Sequence, residues 1–212
     1  MRPESEYREE DERISREVGE FLDRTFYPEE TADSFRVEDK PLQIRGVDTV
    51  FVYNGKGYVC DEKCTGQYRD RETFILELSF IDRSGKPATG WLLDRTHVNN
   101  AYLFAWLDSD KVEVALVEKG TLMRHLASLG WTMDLLDRKQ ARIRKAAERG
   151  GREPLGDIRT YGIRFHYTDD KAERPINAML SRKTYRRLAL FNKCYPTTQF
   201  AKAPKQKDGK KE

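Results

Sequence analysis

Apolar side chains recur at every third or fourth position near the start of the chain, over residues 5–26. This spacing is typical of an amphipathic helix, because residues three and four apart share one helical face. The shared apolar face consists of Ile14, Val18, Phe21, Leu22 and Thr25. Pro28 follows and predicts the end of the helix, because proline lacks the N–H that a helix interior needs.

The middle of the chain is predicted to be rich in strands. Two β-rich runs, 42–53 and 58–64, flank Asn54-Gly55, a dipeptide that favours a hairpin turn. Apolar and polar side chains then alternate over 73–80, which predicts the next strand. The remaining predicted elements are strands at 101–107, 112–117 and 158–167 and helices at 121–129, 133–148 and 175–191.

The predicted order is helix, strands, helices, strand and helix, which favours a mixed α/β or α+β domain. Thr121 is the expected cap of the helix at 121–129, and Pro175 is the expected start of the last helix. A chain of 212 residues fits one domain, expected at 1–200, followed by a disordered basic tail at 201–212.

The charge of the chain is nearly balanced but unevenly distributed. Lys and Arg number 39 against 36 Asp and Glu, which gives a net charge of +3. Residues 4–12 are acidic, whereas 138–152 and 202–211 are basic, so the second half suits a polyanionic partner. The alternative interpretation of the basic half is a set of solvated helix faces.

The cysteine pattern and the lack of long apolar runs indicate a cytoplasmic protein. Cys60, Cys64 and Cys194 form no regular framework, which favours reduced thiols. A zinc site would need a second ligand pair that the spacing does not supply. No apolar run approaches the ~20 residues of a membrane span, and the acidic N-terminus differs from a signal peptide. We therefore expect no membrane partner.

The candidate chemistry lies in the predicted hairpin, where Asp48 is followed after twelve residues by Asp61 and then Lys63. A two-residue turn places Asp48 opposite Asp61, and a four-residue turn places it opposite Lys63. Both registers put the three side chains on one sheet face. Glu77 joins them if the next predicted strand pairs alongside. The alternative is a surface hairpin whose charges pair across the strands.

Carboxylates this close repel one another unless a cation lies between them. Mg²⁺ prefers carboxylate oxygens, keeps several waters and leaves room for a phosphate oxygen. Such a cation polarises the phosphate and lowers the pKa of a bound water. A lysine beside it orients that water or stabilises the charge that develops on phosphorus. The set therefore has the parts needed to hydrolyse a phosphodiester.

At these residues the chain resembles the PD-(D/E)xK nuclease superfamily. Asp48 matches the first Asp of its motif, although Gly46-Val47 precede it where Pro is usual, and Asp61 with Lys63 match the (D/E)xK. The similarity extends to a phage and bacterial branch over roughly 43–107. The segments that carry it are Asp61-Glu62-Lys63-Cys64-Thr65-Gly66, Phe74-Ile75-Leu76-Glu77-Leu78-Ser79, Gly90-Trp91 and Tyr102-Leu103-Phe104.

The chain departs from this branch at three positions. Asn99 and Asn100 stand where an acidic residue often precedes the last strand, and Cys60 stands where an aliphatic residue is usual. The resemblance still implies a restriction-endonuclease-like fold, in which a central mixed β-sheet is flanked by helices. It places the chain in the cytoplasm of a bacterial or phage-infected cell.

The resemblance also implies a Mg²⁺ or Mn²⁺ cofactor bound by Asp48 and Asp61, with the Glu62 carbonyl as a further ligand. The superfamily often adds a Glu from its first helix, for which Glu17 is the first candidate and Glu20 the second. The alternative for both is a solvated helix carboxylate.

In catalysis, the resemblance gives Lys63 the task of acting on the water or the transition state. Glu77 is implied to complete or orient the site. The expected activity is phosphodiester hydrolysis in DNA, with RNA as an alternative substrate. The expected domain at 1–200 is then nuclease-like, with an N-terminal helix and a basic, helical C-terminal part.

Basic side chains on the helix at 133–148, and just after it, are candidates for binding nucleic acid. They are Lys139, Arg142, Lys145, Arg149 and Arg152. Such residues contact phosphates without reading sequence, or else they form a solvated face. Trp91 and Trp106 are expected in the core rather than stacked on bases, and His97 in a surface loop rather than acting as a general base.

The alternative function is a non-catalytic nucleic-acid-binding or protein-interaction module built on the same fold. Metal-dependent turnover would favour the enzyme, and metal-independent binding without cleavage would favour the module. The sequence leaves open whether the chain forms a homodimer.

Overall fold

The structure, a computed structural model, describes residues 4–64, 72–82, 84–151, 162–168 and 173–197. The described helices are α1 Glu4–Phe21, a π-helix Leu22–Phe26, α2 Tyr27–Glu30, α3 Lys40–Ile44, α4 Lys119–Ser128, α5 Met133–Glu148 and α6 Arg182–Leu188. The described strands are β1 Ser34–Arg36, β2 Thr49–Tyr53, β3 Lys56–Cys64, β4 Thr73–Ile81, β5 Pro87–Thr89, β6 Ala101–Leu107, β7 Lys111–Glu118, β8 Arg164–Tyr167, β9 Ile176–Ser181 and β10 Phe191–Pro196.

Two sheets organise the described part of the chain. A six-stranded mixed sheet has the order β1-β2-β3-β6-β7-β10, in which β3 and β6 are parallel and the other pairs antiparallel. A four-stranded antiparallel sheet has the order β5-β4-β9-β8. The mixed α+β class is therefore confirmed. The specific endonuclease-like fold stays a prediction.

The four-stranded sheet packs on one face of the six-stranded sheet through aromatic side chains. The Phe74 ring of β4 lies 4.8 Å from Phe104 and 5.4 Å from Trp106 of β6, between ring centroids. Tyr185 of α6 closes this cluster at 4.6 Å from Phe104. Trp106 is fully buried, so its expected place in the core is confirmed.

Helix α1 and the π-helix cover the opposite face of the six-stranded sheet. Four residues of the predicted apolar face, Ile14, Val18, Phe21 and Leu22, are buried there. Thr25, the fifth, is only half-buried, and the buried Phe26 lies beside it. The buried side chains meet alternate residues of β6, such as Leu103 and Ala105. Both faces of β6 are covered, which explains why its sequence is an unbroken run of apolar residues.

The predicted stop at Pro28 is wrong, because the chain stays helical as far as Glu30. Pro28 lies at the second residue of α2, directly after the π-helix, so the proline coincides with a change of helix type rather than with the end of the helix. The predicted cap at Thr121 is also wrong. Glu118 is the N-cap of α4, and the Thr121 hydroxyl donates to its Oε2 at 3.3 Å.

The helix predicted over 175–191 is wrong as well, because the structure forms β9, the short α6 and β10 there. A short apolar run fits a helix and a buried strand equally. Here β4 and β8 supply partners on both sides of β9, so its backbone bonds go to neighbouring strands. The predicted strand residues 158–161 and the tail at 201–212 lie outside the described residues.

An ionic cluster ties α6 to the six-stranded sheet. Arg182 donates to both carboxylate oxygens of Asp108 at 2.8 and 2.6 Å and to Glu113 Oε2 at 2.7 Å. Arg186 and Asn192 also donate to Glu113, at 2.6 and 2.7 Å. The cluster anchors the region that was expected to be a single helix. None of the described helices is long and apolar enough to cross a membrane.

Candidate active site

The hairpin of β2 and β3 turns through Asn54 and Gly55, whose φ angles are +49° and +74°. Positive φ at both positions matches the twist of the flanking strands, which is why Asn-Gly is favoured there. Tyr53 pairs with Lys56 across this turn. The chain therefore adopts the shorter of the two expected turns, and this register fixes the candidate site.

Asp48, Asp61 and Lys63 lie together at the start of β2 and the end of β3. Asp48 directly precedes β2, and continuing the ladder places it opposite Asp61. Lys63 Nζ lies 2.5 Å from Asp61 Oδ1 and 5.0 Å from the centre of the Trp91 ring. Because Trp91 packs against the core between the sheets, this face of the hairpin is turned towards the four-stranded sheet.

The Asp61 carboxylate is almost fully buried, at 1% exposure. Its Oδ1 contacts Lys63, whereas its Oδ2 is buried with no hydrogen-bond partner among the described residues. A buried polar atom without a partner costs about 1–3 kcal/mol, more when it is charged. Such an atom therefore calls for a functional explanation.

The Asp48 carboxylate is fixed by the backbone of the neighbouring strand, since Glu62 N–H donates to its Oδ2 at 2.8 Å. Burial raises the pKa of Asp48, the Glu62 N–H lowers it, and the nearby negative charge of Asp61 raises it again. Two carboxyl groups this close do not both ionise readily unless positive charge is added between them.

Glu77 reaches the site from the other sheet. The condition set for Glu77, that its strand pairs alongside the hairpin, is not met, because β4 pairs with β5 and β9. Burial raises the pKa of Glu77, and the nearby charge of Lys63 lowers it. Gly90 passes so close to Glu77 that an added Cβ would lie 2.6 Å from the Glu77 carbonyl carbon. Packing between the two sheets, rather than strand pairing, thus brings Glu77 towards Lys63.

His97 was expected in a surface loop, but its side chain is only 9% exposed and lies beside Asp61. Nδ1 is 4.0 Å from Asp61 Oδ2, and Nε2 is 3.6 Å from Asp94 Oδ2. Burial lowers the pKa of His97, while the charge of Asp94 raises it. Gly46 has φ +73°, and a Cβ there would lie 2.8 Å from His97 Nδ1. Gly46 before the first Asp was the sequence signal for this close approach.

The side chain of Glu62 points away from Asp61 and Lys63, as alternation along a strand requires. Its Oε1 accepts from the Tyr27 hydroxyl and the Thr49 hydroxyl, both at 2.5 Å. Arg36 donates to both of its carboxylate oxygens, at 3.1 and 3.2 Å. The Glu62 carboxylate therefore anchors the helical layer, and metal ligation by its carbonyl stays a prediction.

Helix α1 flanks the site, but neither expected glutamate lines it. Glu17 pairs with Arg13 at 2.5 Å and Glu20 pairs with Arg24 at 3.2 Å, all on the partly exposed side of the helix. A cavity of about 200 Å³ separates the helix from the hairpin. Its lining residues include Ser15, Val18, Gly19, Asp48 and Lys63.

The basic residues of α5 do not share one role. Arg144 is buried and donates to Ser79 Oγ at 2.9 Å, so it belongs to the contact between α5 and β4. Lys139 Nζ lies 5.4 Å from the centre of the Phe165 ring. Arg142, Lys145 and Arg149 are exposed, and Arg152 lies outside the described residues. DNA binding by this helix stays a prediction.

The donors at the site suit a divalent cation, because carboxylate oxygens are what Mg²⁺ and Mn²⁺ prefer. Asp61 Oδ2, which is buried without a hydrogen-bond partner, is suited to bind such a cation. The raised pKa of Asp48 is consistent with this, because a bound cation would favour its ionised form. Among the described residues, no three His, Cys, Asp or Glu side chains already converge closely enough to hold a metal together.

Comparison of the chain with protein-family models, with curated proteins and with solved structures finds no match. The function is therefore inferred from the residues of the site and their geometry.

Proposed function

We propose that this protein is a metal-dependent nuclease that hydrolyses phosphodiester bonds, with DNA as the first substrate to test. The observation that carries the proposal is the buried, unpartnered Oδ2 of Asp61 beside Asp48 and Lys63. A hairpin needed only for stability gains nothing from an unsatisfied buried carboxylate oxygen, whereas a ligand site does.

Asp48 and Asp61 would hold Mg²⁺ or Mn²⁺ through their carboxylate oxygens. Once bound, this cation polarises a phosphate oxygen and lowers the pKa of a bound water. The Glu62 N–H keeps the Asp48 carboxylate in one orientation, 2.8 Å from its Oδ2. Pre-orientation of this kind spares the site from reorganising during the reaction.

Lys63 supplies the positive charge of the site from the chain itself. Its ammonium lies 2.5 Å from Asp61 Oδ1 and against the Trp91 ring. The negative charge of Glu77 is also close enough to attract this ammonium. A fixed ammonium beside a phosphate stabilises the negative charge that develops on the transferring group. In this mechanism Lys63 serves the chemical step and Glu77 keeps its ammonium in place.

The experiment is a cleavage assay on single-stranded, double-stranded and branched DNA and on RNA, with Mg²⁺, Mn²⁺ or EDTA. We expect metal-dependent cleavage of at least one substrate and its loss in Asp61→Asn, which keeps the size of the side chain. Full activity of a folded Asp61→Asn variant would contradict the proposal.

The contact between Asp61 and Lys63 also favours a second candidate, a non-catalytic nucleic-acid-binding module. In this pair the two charges neutralise each other without a cation. Binding of DNA that is unaffected by EDTA, with no cleavage of any substrate, would support the module over the enzyme.

A further inference from the structure

One imidazole nitrogen at the site is buried without a partner. His97 Nδ1 has no hydrogen-bond partner among the described residues, and neither has Asp61 Oδ2. The two atoms face one another at 4.0 Å. This separation is too long for a hydrogen bond between them. The Ile44 carbonyl lies near the imidazole and Asp48 lies near the Asp61 carboxylate, but neither forms a hydrogen bond with these two atoms. The gap between the two atoms therefore suits a third group that both bind.

The other side of the imidazole faces a fixed carboxylate. Asp94 Oδ2 lies 3.6 Å from His97 Nε2, while Asp94 Oδ1 accepts from Thr96 N–H at 2.8 Å and from its hydroxyl at 2.7 Å. The negative charge on this side favours a proton on Nε2, which would leave the Nδ1 lone pair available to the cation. Histidines that ligate metals are oriented by a carboxylate in this way.

The loop that carries His97 is also fixed by its backbone. Lys119 Nζ donates to the His97 carbonyl at 3.2 Å and to Asn99 Oδ1 at 3.2 Å. Val98 N–H donates to the Arg45 carbonyl at 3.0 Å, and Gly46 leaves room for the ring. The position of Nδ1 beside Asp61 is thus determined by contacts on both sides of the loop.

We propose that His97 Nδ1 and Asp61 Oδ2 bind one divalent cation between them, and that the site therefore prefers Mn²⁺ to Mg²⁺. This inference rests on the proposed function and names the cation class of that same site. Two ligands about 2.1 Å from one cation lie at most about 4.2 Å apart. The observed 4.0 Å between the two atoms falls within this limit. Mg²⁺ takes oxygen ligands almost exclusively, whereas later first-row cations accept imidazole nitrogen.

The test is pulsed electron paramagnetic resonance of the full chain with Mn²⁺ as the probe. We expect a hyperfine coupling from a directly bound imidazole ¹⁴N, replaced by a ¹⁵N coupling when histidine is labelled. His97→Gln should abolish the coupling and raise the Kd for Mn²⁺ by roughly tenfold or more. His125→Gln, which alters a half-buried histidine of α4, should leave both unchanged.

Competition between the two cations tests the preference. In His97→Gln the affinity for Mg²⁺ should change far less than that for Mn²⁺. Asp94→Asn should retain the nitrogen coupling while weakening Mn²⁺ binding by roughly 10- to 100-fold, because Asp94 orients the ring without touching the cation.

Two results separate failure of this inference from failure of the proposed function. Mn²⁺ binding that is lost in Asp61→Asn but shows no histidine nitrogen coupling in the wild type would overturn the role of His97 alone. Absence of Mn²⁺ binding in the wild type, or binding unaffected by Asp61→Asn, would overturn both. The wild-type labelling experiment needs no variant, so misfolding of His97→Gln does not affect it.

Discussion

Asp48 links the stability of the folded chain to the proposed chemistry. Burial raises the pKa of its carboxyl, and the charge of Asp61 adds to this effect. The folded state therefore disfavours ionisation of Asp48 relative to the unfolded chain. A raised acid pKa means that stability falls as pH rises above the unfolded value of about 3.9.

Asp48→Asn should therefore raise the free energy of unfolding at pH 7 in EDTA, by roughly 0.5–2 kcal/mol, while abolishing metal-dependent cleavage. The amide oxygen still accepts from Glu62 N–H, so the fold keeps that bond. Urea denaturation at pH 7 and pH 3 checks this, and the gain should vanish at pH 3. Destabilisation at pH 7 would contradict the electrostatic account of Asp48.

The pKa of Glu113 shifts in the opposite direction to that of Asp48. Burial tends to raise its pKa, but hydrogen bonds from Arg186 and Asn192 and the charge of Arg182 lower it to about 2. A depressed acid pKa contributes stability that is present above the unfolded value of about 4.3 and is lost as pH falls towards 2. The free energy of unfolding of the wild type should therefore decrease as pH is lowered from about 4.3 to about 2. In Glu113→Gln, the plot of this free energy against pH should be flatter over the same range.

Glu113→Ala should lower the free energy of unfolding at pH 7 by about 3–5 kcal/mol, because it leaves the buried guanidinium of Arg182 with one carboxylate fewer. Glu118→Ala is the matched control on the same strand. Its partner Lys56 is exposed, so its loss should cost less than about 1 kcal/mol. Equal effects of the two substitutions would contradict the structural role of the buried cluster.

At the scale of elements, the approach of Gly90 to β4 holds Glu77 in place. An added Cβ at Gly90 would lie 2.6 Å from backbone atoms of Glu77, which cannot yield without moving the strand. Gly90→Ala should therefore destabilise the fold by roughly 1–3 kcal/mol and reduce cleavage. Gly57→Ala is the control, since a Cβ there meets nothing within 4 Å.

Thermal or urea denaturation of the two alanine variants measures this difference. A Gly90→Ala variant as stable and active as Gly57→Ala would show that the close approach has no role in the site.

Elements whose pattern is local were predictable, and those decided by distant partners were not. Asn54-Gly55 determined the hairpin through its own backbone preferences, and the strand at 101–107 and the helix at 133–148 were predicted with the bounds that the structure has. The segment over 175–191 depended on strands far away in the chain. His97 was missed for the same reason, because it lies against Asp61 and Gly46, which are far from it in the sequence.

At the scale of the molecule, the candidate site lies between the layers while the exposed charges of α5 lie on the surface. If α5 binds the nucleic-acid backbone, Arg142→Ala, Lys145→Ala and Arg149→Ala should each weaken binding uniformly across sequences. Each should also reduce the slope of log K against log salt by up to about 0.9, through release of one fewer counterion. Fluorescence anisotropy over a salt series measures this slope. Unchanged slopes in all three variants would remove α5 from the interface.

Replacement of Lys63 tests the nuclease account most directly. Lys63→Met and Lys56→Met remove an ammonium from the same strand, but only Lys63 contacts Asp61. With saturating Mn²⁺ and with metal binding verified in each protein, we expect Lys63→Met to lower the cleavage rate by roughly 10²- to 10³-fold. Lys56→Met should cleave at the wild-type rate. Equal rates in the two variants would contradict the assignment of Lys63, Asp61 and Asp48 as the active site.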